Sequence, residues 1–338
     1  MTPAAAPNRT LEATDVLAAA VVEVAGVPIR VTASDPHRSE AVASLFRDAT
    51  RTAARPRCTL RFADGVLAVP SGEPATIIAD VELWRPEPGH LWLRCAEGLT
   101  ARSSADDIVI AGDATALARV FRYVCLIALT HLLAQRGRHM LHGGAVVADG
   151  RALLVLGNTG TGKSTLVFGA LGLGWPVLAD DVVALHRRDG LVHATGLPRP
   201  ISVPLDVLVD DVAGGRPVPQ DVRKRMELPG GTLAKGVHPI AGVLVTSHGS
   251  QADAAIQPLD GHETLRLVLR ASTSLADPAL LPEVFAIAGA LARLPAWSYQ
   301  HGSDAALRLD QARRWLEEIR RRLGAGPSCD DLGLGAGC

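Results

Sequence analysis

The stretch 157-GNTGTGKST-165 decides the fold, because it matches the pattern G-x-x-x-x-G-K-[ST] in full. The apolar run 151-RALLVL-156 precedes it, and a helix-like run begins near Lys163. The loop therefore has the strand before it and the helix after it that this motif requires. A chance glycine-rich loop would need neither flank. We predict a P-loop that binds the phosphates of a nucleotide.

Each residue type in the loop has a physical role in binding phosphate. Glycines let the backbone turn tightly enough for successive N–H groups to point at phosphate oxygens. Lys163 can reach the β- and γ-phosphates and Ser164 can ligate Mg²⁺, so we expect ATP and Mg²⁺ as cofactors. The predicted nucleotide-binding residues are Gly157, Asn158, Thr159, Gly160, Thr161, Gly162, Lys163, Ser164 and Thr165.

Two adjacent aspartates, Asp180 and Asp181, stand in the apolar run 176-PVLADDVVAL-185 shortly after the motif. Carboxylates are rarely buried unless they are paired or coordinate a cation. We expect one of them on Mg²⁺ and the other as the base for an attacking hydroxyl, with a twist or bulge turning both to one side. The alternative is that Asp180 and Asp181 have no role in a site and only end a strand before a turn. The apolar residues that continue through 182–185 favour one continuous strand.

The pattern around the motif predicts a mixed sheet. The Asp149–Gly150 turn lies between two apolar runs, so the strand at 151–156 should pair antiparallel with the one at 141–147. Asp189–Gly190 predicts a second hairpin, and a short return from the helix should bring 176–185 into the same sheet as 151–156. Two hairpins around one motif are more typical of a mixed α/β sheet than of a purely parallel sheet.

Four segments are predicted along the 338 residues. Residues 1–12 should be disordered, and residues 13–135 should form a small α+β domain that ends in a connecting helix. Within it we predict a helix at 39–49 and strands that include 76–84. Residues 136–323 should form the P-loop domain, and 324–338 a flexible glycine-rich tail.

Composition excludes two classes of partner. The net charge is −1, so we expect no nucleic acid and no anionic membrane surface as a partner. Neither the N-terminus nor the apolar run 118–135 is typical of a signal peptide or a membrane span, because charged residues interrupt both. We expect a cytoplasmic protein.

The sequence resembles the catalytic domain of HPr kinase/phosphorylase and its HPr-kinase-like relatives. The resemblance covers roughly 138–205 and rests on His142–Gly143, the hairpin, 157-GNTGTGKST-165 and 174-GWPVLADDVV-183 in that order. It implies a P-loop kinase core akin to phosphoenolpyruvate carboxykinase. The implied activity is ATP-dependent phosphorylation of a serine hydroxyl on a peptide or small protein.

The resemblance also implies roles for individual residues. It makes Lys163 the catalytic P-loop lysine and Ser164 a metal ligand. Asp180 becomes the base, Asp181 the metal-side carboxylate and His142 the active-site histidine. The family's Glu-x-Arg-Gly-Leu-Gly segment has no counterpart with Glu in 191–204, so the phosphorylase reaction stays open.

The overall layout is more similar to the smaller HPr-kinase-like kinases that modify ribosomally made precursor peptides, including lasso peptide kinases. The basic stretch 223–236 adds Arg223 and Arg225 as candidates that neutralise charge on the transferring phosphoryl group, although a solvated loop fits equally well. The family also suggests a homo-oligomer. A nucleotide-hydrolysing switch, a non-catalytic ATP-binding subunit of a biosynthetic complex and a small-molecule kinase are the alternatives.

Overall fold

A computed structural model of the chain describes the following residues: 20–33, 46, 49–63, 65–78, 80–112, 114–158, 160–197, 202–204, 216–217, 225–227, 233–248, 255–273, 277–301 and 308–324. The predicted disordered N-terminus, most of the helix predicted at 39–49 and the tail beyond 324 lie outside these ranges. The chain divides into two compact units. The first is Met1–Met140 with Leu197–Arg199 and Thr273–Leu281; the second is Leu141–Gly196 with Pro200–Ser272 and Pro282–Cys338.

The first unit contains a nine-stranded mixed sheet with the order β3-β1-β2-β4-β9-β8-β7-β6-β5. Only the β2–β4 and β4–β9 pairs are parallel. A long helix, α1 (Ala114–Gln135), follows the last strand, and the Ser103 hydroxyl of β8 donates to the Ala128 carbonyl of this helix at 2.9 Å. The strands are β1 (Ala20–Val24), β2 (Val27–Ala33), β3 (Thr50–Arg51), β4 (Cys58–Ala63), β5 (Thr76–Ile78), β6 (Val81–Trp84), β7 (Leu91–Cys95), β8 (Thr100–Ser103) and β9 (Asp107–Ala111).

One predicted strand of this unit is wrong. The run 76–84 is not a single strand but the hairpin of β5 and β6, with Ile78 opposite Val81. The chain reverses at Asp80, which adopts a left-handed φ of 64°. Asp tolerates that conformation better than most residues, so it can turn the chain where the apolar pattern suggests a continuous strand.

The second unit contains the P-loop motif in another mixed sheet, with the order β10-β14-β15-β19-β12-β11-β13 and with β21 pairing β19 and β20. The prediction of a mixed α/β sheet is confirmed. A separate three-stranded sheet has the order β16-β18-β17. The strands of this unit are β10 (His139–His142, which begins in the first unit), β11 (Gly144–Ala148), β12 (Arg151–Leu156), β13 (Val177–Ala179), β14 (Val182–Arg188), β15 (Leu191–Gly196), β16 (Ser202–Pro204), β17 (Arg216–Pro217), β18 (Arg225–Glu227), β19 (Val237–His248), β20 (Ala255–Pro258) and β21 (Ala296–His301).

Helices cover both faces of this sheet. Along β12, Leu154 and Leu156 point into one apolar core, and Leu153 and Val155 point into the other, as the two-residue period of a strand requires. The first core also contains residues of α3 and α4, and the second contains residues of α2 and α5. The helices are α2 (Lys163–Gly172), α3 (Gly261–Ala271), α4 (Leu281–Leu291, preceded by a 3₁₀ turn at Pro278–Leu280) and α5 (Arg308–Gly324).

The strand directions place several chain segments at one edge of the sheet. β12, β19 and β21 are parallel, and β11 lies antiparallel between β12 and β13. β13 therefore runs in the same direction as β12, and the carboxyl ends of all four strands meet at the same edge. Both predicted hairpins are confirmed: β11 pairs β12 across Asp149–Gly150, and β14 pairs β15 across Asp189–Gly190. The strand predicted at 141–147 is too long, because β11 begins at Gly144 and Leu141 and His142 belong to β10, which lies beside β14.

The prediction of one continuous strand over 176–185 is wrong. β13 ends at Ala179 and β14 begins at Val182, so the chain bends at Asp180 and Asp181. The two halves have different neighbours, because β13 pairs β11 whereas β14 pairs β15. The apolar run continues across the bend because both halves are buried strands.

Within the described part of the chain, no helix is long and apolar enough to cross a membrane. The predicted domain boundaries and the predicted oligomer stay predictions.

The contact between α2 and α5 yields a test of the core. A Cβ on Gly169 would lie 3.0 Å from the Cβ of Ala312 and 3.4 Å from the Arg313 nitrogen. Gly169→Val should lower the free energy of unfolding by about 1–3 kcal/mol in urea denaturation, because the added methyls overpack this contact. Gly289→Val is the matched control, since a Cβ there meets nothing within 4 Å. Equal effects at both positions would contradict the described packing.

Candidate functional site

The P-loop motif forms the turn between β12 and α2. β12 ends at Leu156 and α2 begins at Lys163, so the loop occupies 157–162. Gly160 and Gly162 have φ values of 85° and 93°, in the left-handed region that glycine adopts without steric cost. Gly162 is the N-cap of α2, and among the described residues no side chain caps the helix. The N–H groups of the first turn are thus left for a ligand, and this arrangement fits a phosphate.

Gly157 is required by a close approach between the loop and β19. A Cβ at this position would collide with the hydroxyl oxygen of Thr246 and would lie 2.6 Å from that of Thr161. These two hydroxyl oxygens are 2.7 Å apart. Thr246 is thus a buried contact of the loop that the sequence analysis missed. A single threonine in an apolar strand gives no pattern that could have identified it.

Lys163 is folded back onto the loop. Its Nζ donates to the carbonyl oxygens of Gly157 at 2.8 Å and Asn158 at 2.9 Å, and the residue is only 8% exposed. Burial lowers the pKa of its ammonium group, and the negative charge of Asp181 offsets part of this shift. The electrostatic influence of Asp181 on Lys163 connects the loop with the acidic pair.

The acidic pair lies at the same edge of the sheet as the loop. The Asp181 Oδ1 is 3.3 Å from the Nδ1 of His142, and both side chains are about half exposed, at 49% and 41%. The Asp181 backbone carbonyl accepts a hydrogen bond from the Gly143 N–H at 2.9 Å. Asp180 is half-buried at the bend. The structure thus brings together three of the predicted residues, His142, Asp181 and Lys163.

Two adjacent glycines make room for this arrangement. A Cβ on Gly143 would lie 2.8 Å from the carbonyl oxygen of Val155, at the end of β12. A Cβ on Gly144 would lie 3.0 Å from Val167 of α2 and 3.2 Å from the Ala179 carbonyl oxygen. The sequence analysis included Gly143 but missed Gly144. A glycine is required at Gly144 because of neighbours in other elements, which the local sequence does not reveal.

The described residues fit a nucleotide with a divalent cation. No group of three or more His, Cys, Asp or Glu side chains in the described ranges is placed to hold a metal ion. Mg²⁺ bound beside nucleotides takes only one or two protein groups together with phosphate oxygens and waters. Ser164, in the first turn of α2, and Asp181 are groups of that kind.

The remaining predicted residues are described to different extents. Thr159 and Arg223 lie outside the described residues, and only the backbone of Arg225 is described, as the first residue of β18. Thr165 is half-buried in the first turn of α2. The roles assigned to these residues stay predictions.

Comparisons with known proteins find similarity among solved structures. Neither a family model nor a curated protein matches the chain. Among solved structures, the chain is similar to the structure of the Hpr(Ser) kinase/phosphatase from Coxiella burnetii. The two are 12% identical, with a TM-score of 0.28, and the match covers 54% of this chain and 98% of that one. A TM-score this low does not establish a shared fold.

The influence of Asp181 on Lys163 can be measured. Asp181→Asn should lower the pKa of Lys163, because it removes the negative charge that favours the protonated amine. Competitive acetylation across a pH series, read by mass spectrometry, measures this pKa directly. The chain has only two other lysines, Lys224 and Lys235, which simplifies the assignment.

Asp189→Asn is the matched control for this measurement, since Asp189 lies in the exposed turn between β14 and β15. The control should leave the pKa of Lys163 unchanged. If Asp181→Asn also left it unchanged, the proximity of the loop and the acidic pair would be refuted.

Proposed function

We propose that the chain is an ATP-dependent kinase of the HPr-kinase-like type that phosphorylates a serine hydroxyl of a peptide or small protein. One observation carries this proposal: the P-loop with Lys163 and the acidic pair with His142 lie at the same edge of one sheet. Phosphoryl transfer depends mainly on positioning and on stabilising charge. A phosphate-binding loop, a cation, two carboxylates and a metal ion are sufficient parts.

The proposed mechanism assigns one task to each group. Lys163 leaves its two loop carbonyls and binds the β- and γ-phosphates, while the N–H groups of the loop hold the phosphate chain. Asp180 takes the proton as the serine O–H bond breaks and the oxygen bonds to the γ-phosphorus. The bond from the γ-phosphorus to the bridging oxygen breaks, and ADP leaves. His142 holds the carboxylate of Asp181 in position.

Ser164 and Asp181 would hold Mg²⁺. The bound ion would supply positive charge to the phosphate oxygens, which neutralises the charge that develops on the leaving group. Arg223 and Arg225 are proposed to add positive charge on the same group.

The acceptor is proposed to be a ribosomally made precursor peptide, such as that of a lasso peptide, in the cytoplasm. This assignment rests on the similarity of the layout to that group of kinases, in which a separate unit precedes the P-loop unit along the chain. Copies of the chain are proposed to assemble with one another, as in the family.

A labelling experiment tests the kinase activity. The purified chain, γ-labelled ATP, Mg²⁺ and a fractionated lysate of the source organism would be incubated, and labelled species identified by intact mass. We expect label on a peptide or small protein. The rate should fall by about 100-fold or more with Lys163→Ala, because a charged contact to the transferring group is lost.

The same experiment separates the alternatives. Label released only as free phosphate by the wild type would favour a nucleotide-hydrolysing switch. Label on a small molecule would favour a small-molecule kinase. Tight ATP binding with neither phosphoryl transfer nor hydrolysis would contradict the proposed enzyme activity and favour a non-catalytic ATP-binding subunit.

The roles of the two aspartates predict different kinetic defects with the acceptor that is found. Asp180→Asn should lower kcat by about 10²–10⁴-fold without changing the Mg²⁺ requirement, as expected for the loss of a base. Asp181→Asn should raise the Mg²⁺ concentration needed for half-maximal rate. The opposite pattern in a Mg²⁺ titration of both variants would reverse the two assignments.

A further inference from the structure

Thr246, near the end of β19, contacts the nucleotide loop although it lies outside the motif. Its hydroxyl oxygen is 2.7 Å from that of Thr161 and donates to the Leu156 carbonyl at 3.1 Å. The two threonines are 3% and 7% exposed. Burial to this extent means that bulk water does not readily replace either partner.

Two hydroxyl hydrogens serve three contacts in this cluster. The Thr161 hydroxyl also lies 2.7 Å from the carbonyl oxygen of Asn158, to which it donates. Each hydroxyl has one hydrogen and two lone pairs, so the three contacts cannot all contain a hydrogen at the same moment. Since Thr161 donates to Asn158, a hydrogen between the two hydroxyl oxygens can come only from Thr246, which then no longer donates to Leu156.

The carbonyl of Asn158 is where this choice has an effect. Lys163 donates to it at 2.9 Å, and a lysine that turns to a phosphate withdraws this hydrogen bond. The Thr161 hydroxyl at 2.7 Å and the Thr161 N–H at 3.3 Å still donate to this carbonyl, so it avoids the cost of an unsatisfied polar group. Thr161 keeps its hydrogen bond to Asn158, and Thr246 can turn its own hydrogen from Leu156 to the Thr161 oxygen, which polarises the Thr161 hydroxyl and strengthens that bond.

We propose that Thr246 is a positioning residue for nucleotide binding. It fixes the loop through Thr161, and it strengthens the hydrogen bond by which Thr161 holds the Asn158 carbonyl when Lys163 turns to the phosphates. The inference rests on the proposed function in one respect, that the ligand of the loop is a nucleoside triphosphate. It gives β19, which lies outside the P-loop motif, a role in nucleotide binding.

The test compares Thr246→Val with Thr246→Ser in the full chain. Valine keeps the shape and removes the hydroxyl, whereas serine keeps the hydroxyl. Titration calorimetry with ATP and Mg²⁺ should give a dissociation constant about tenfold higher for the valine variant, equivalent to about 1.4 kcal/mol. The serine variant should stay within about twofold of wild type, since it restores the hydrogen bond.

Amide hydrogen exchange without nucleotide gives a second, independent measurement. Exchange in residues 157–162 should be faster in Thr246→Val than in wild type and unchanged in Thr246→Ser. Thr195→Val is the matched control: Thr195 is also buried in this sheet, on β15, and within the described part of the chain its hydroxyl has no hydrogen-bond partner. This control should change neither the exchange of the loop nor the affinity.

Unchanged loop exchange in Thr246→Val would overturn the inference, and so would an affinity equal to that of wild type. A wild type that binds no nucleotide would instead overturn the proposed function. The exchange measurement then still decides whether Thr246 fixes the loop, so the two failures are distinguishable.

Discussion

The antiparallel position of β11 between β12 and β13 is the constraint on which the site depends. The Asp149–Gly150 turn closes the hairpin with both residues at positive φ, the conformation of the tight turns that match strand twist. The register then places Gly144 opposite Val155 and Ala145 opposite Ala179. Backbone hydrogen bonds thus fix the loop after β12 and the aspartates after β13 relative to each other, without any side chain between them.

Steric limits follow from this arrangement. Because β11 starts where β12 and β13 end, its first residues lie where three chain segments approach one another. Gly143 and Gly144 occupy that point, and a Cβ on either would meet a neighbouring backbone carbonyl oxygen within 3.2 Å. The same limit applies on the other side of β12, where Gly157 faces Thr246 of β19. The site is therefore bounded by glycines on both sides of its central strand.

Sequence patterns predicted the parts of the site that depend on local structure. The P-loop motif and the two Asp–Gly hairpins are set by residues close in the chain, and the structure has the strand–loop–helix and both hairpins. The bend at Asp180 and Asp181 was not predicted, because apolar residues on both sides of it are buried by different neighbours. Thr246 was missed because it meets Thr161 from 85 positions away. Contacts of that kind depend on sheet order, which the local pattern does not contain.

The open first turn of α2 has a consequence for the stability of the protein. Most helices complete their amino end with a side chain, and here Gly162 offers none. An anion bound in the loop would accept hydrogen bonds from the N–H groups of the first turn, so a ligand and not a side chain would cap the helix. Folding and binding are then linked equilibria: each would favour the other, and the melting temperature would rise with the concentration of the anion. Anion binding would stabilise the region around Lys163 more than the rest of the second unit.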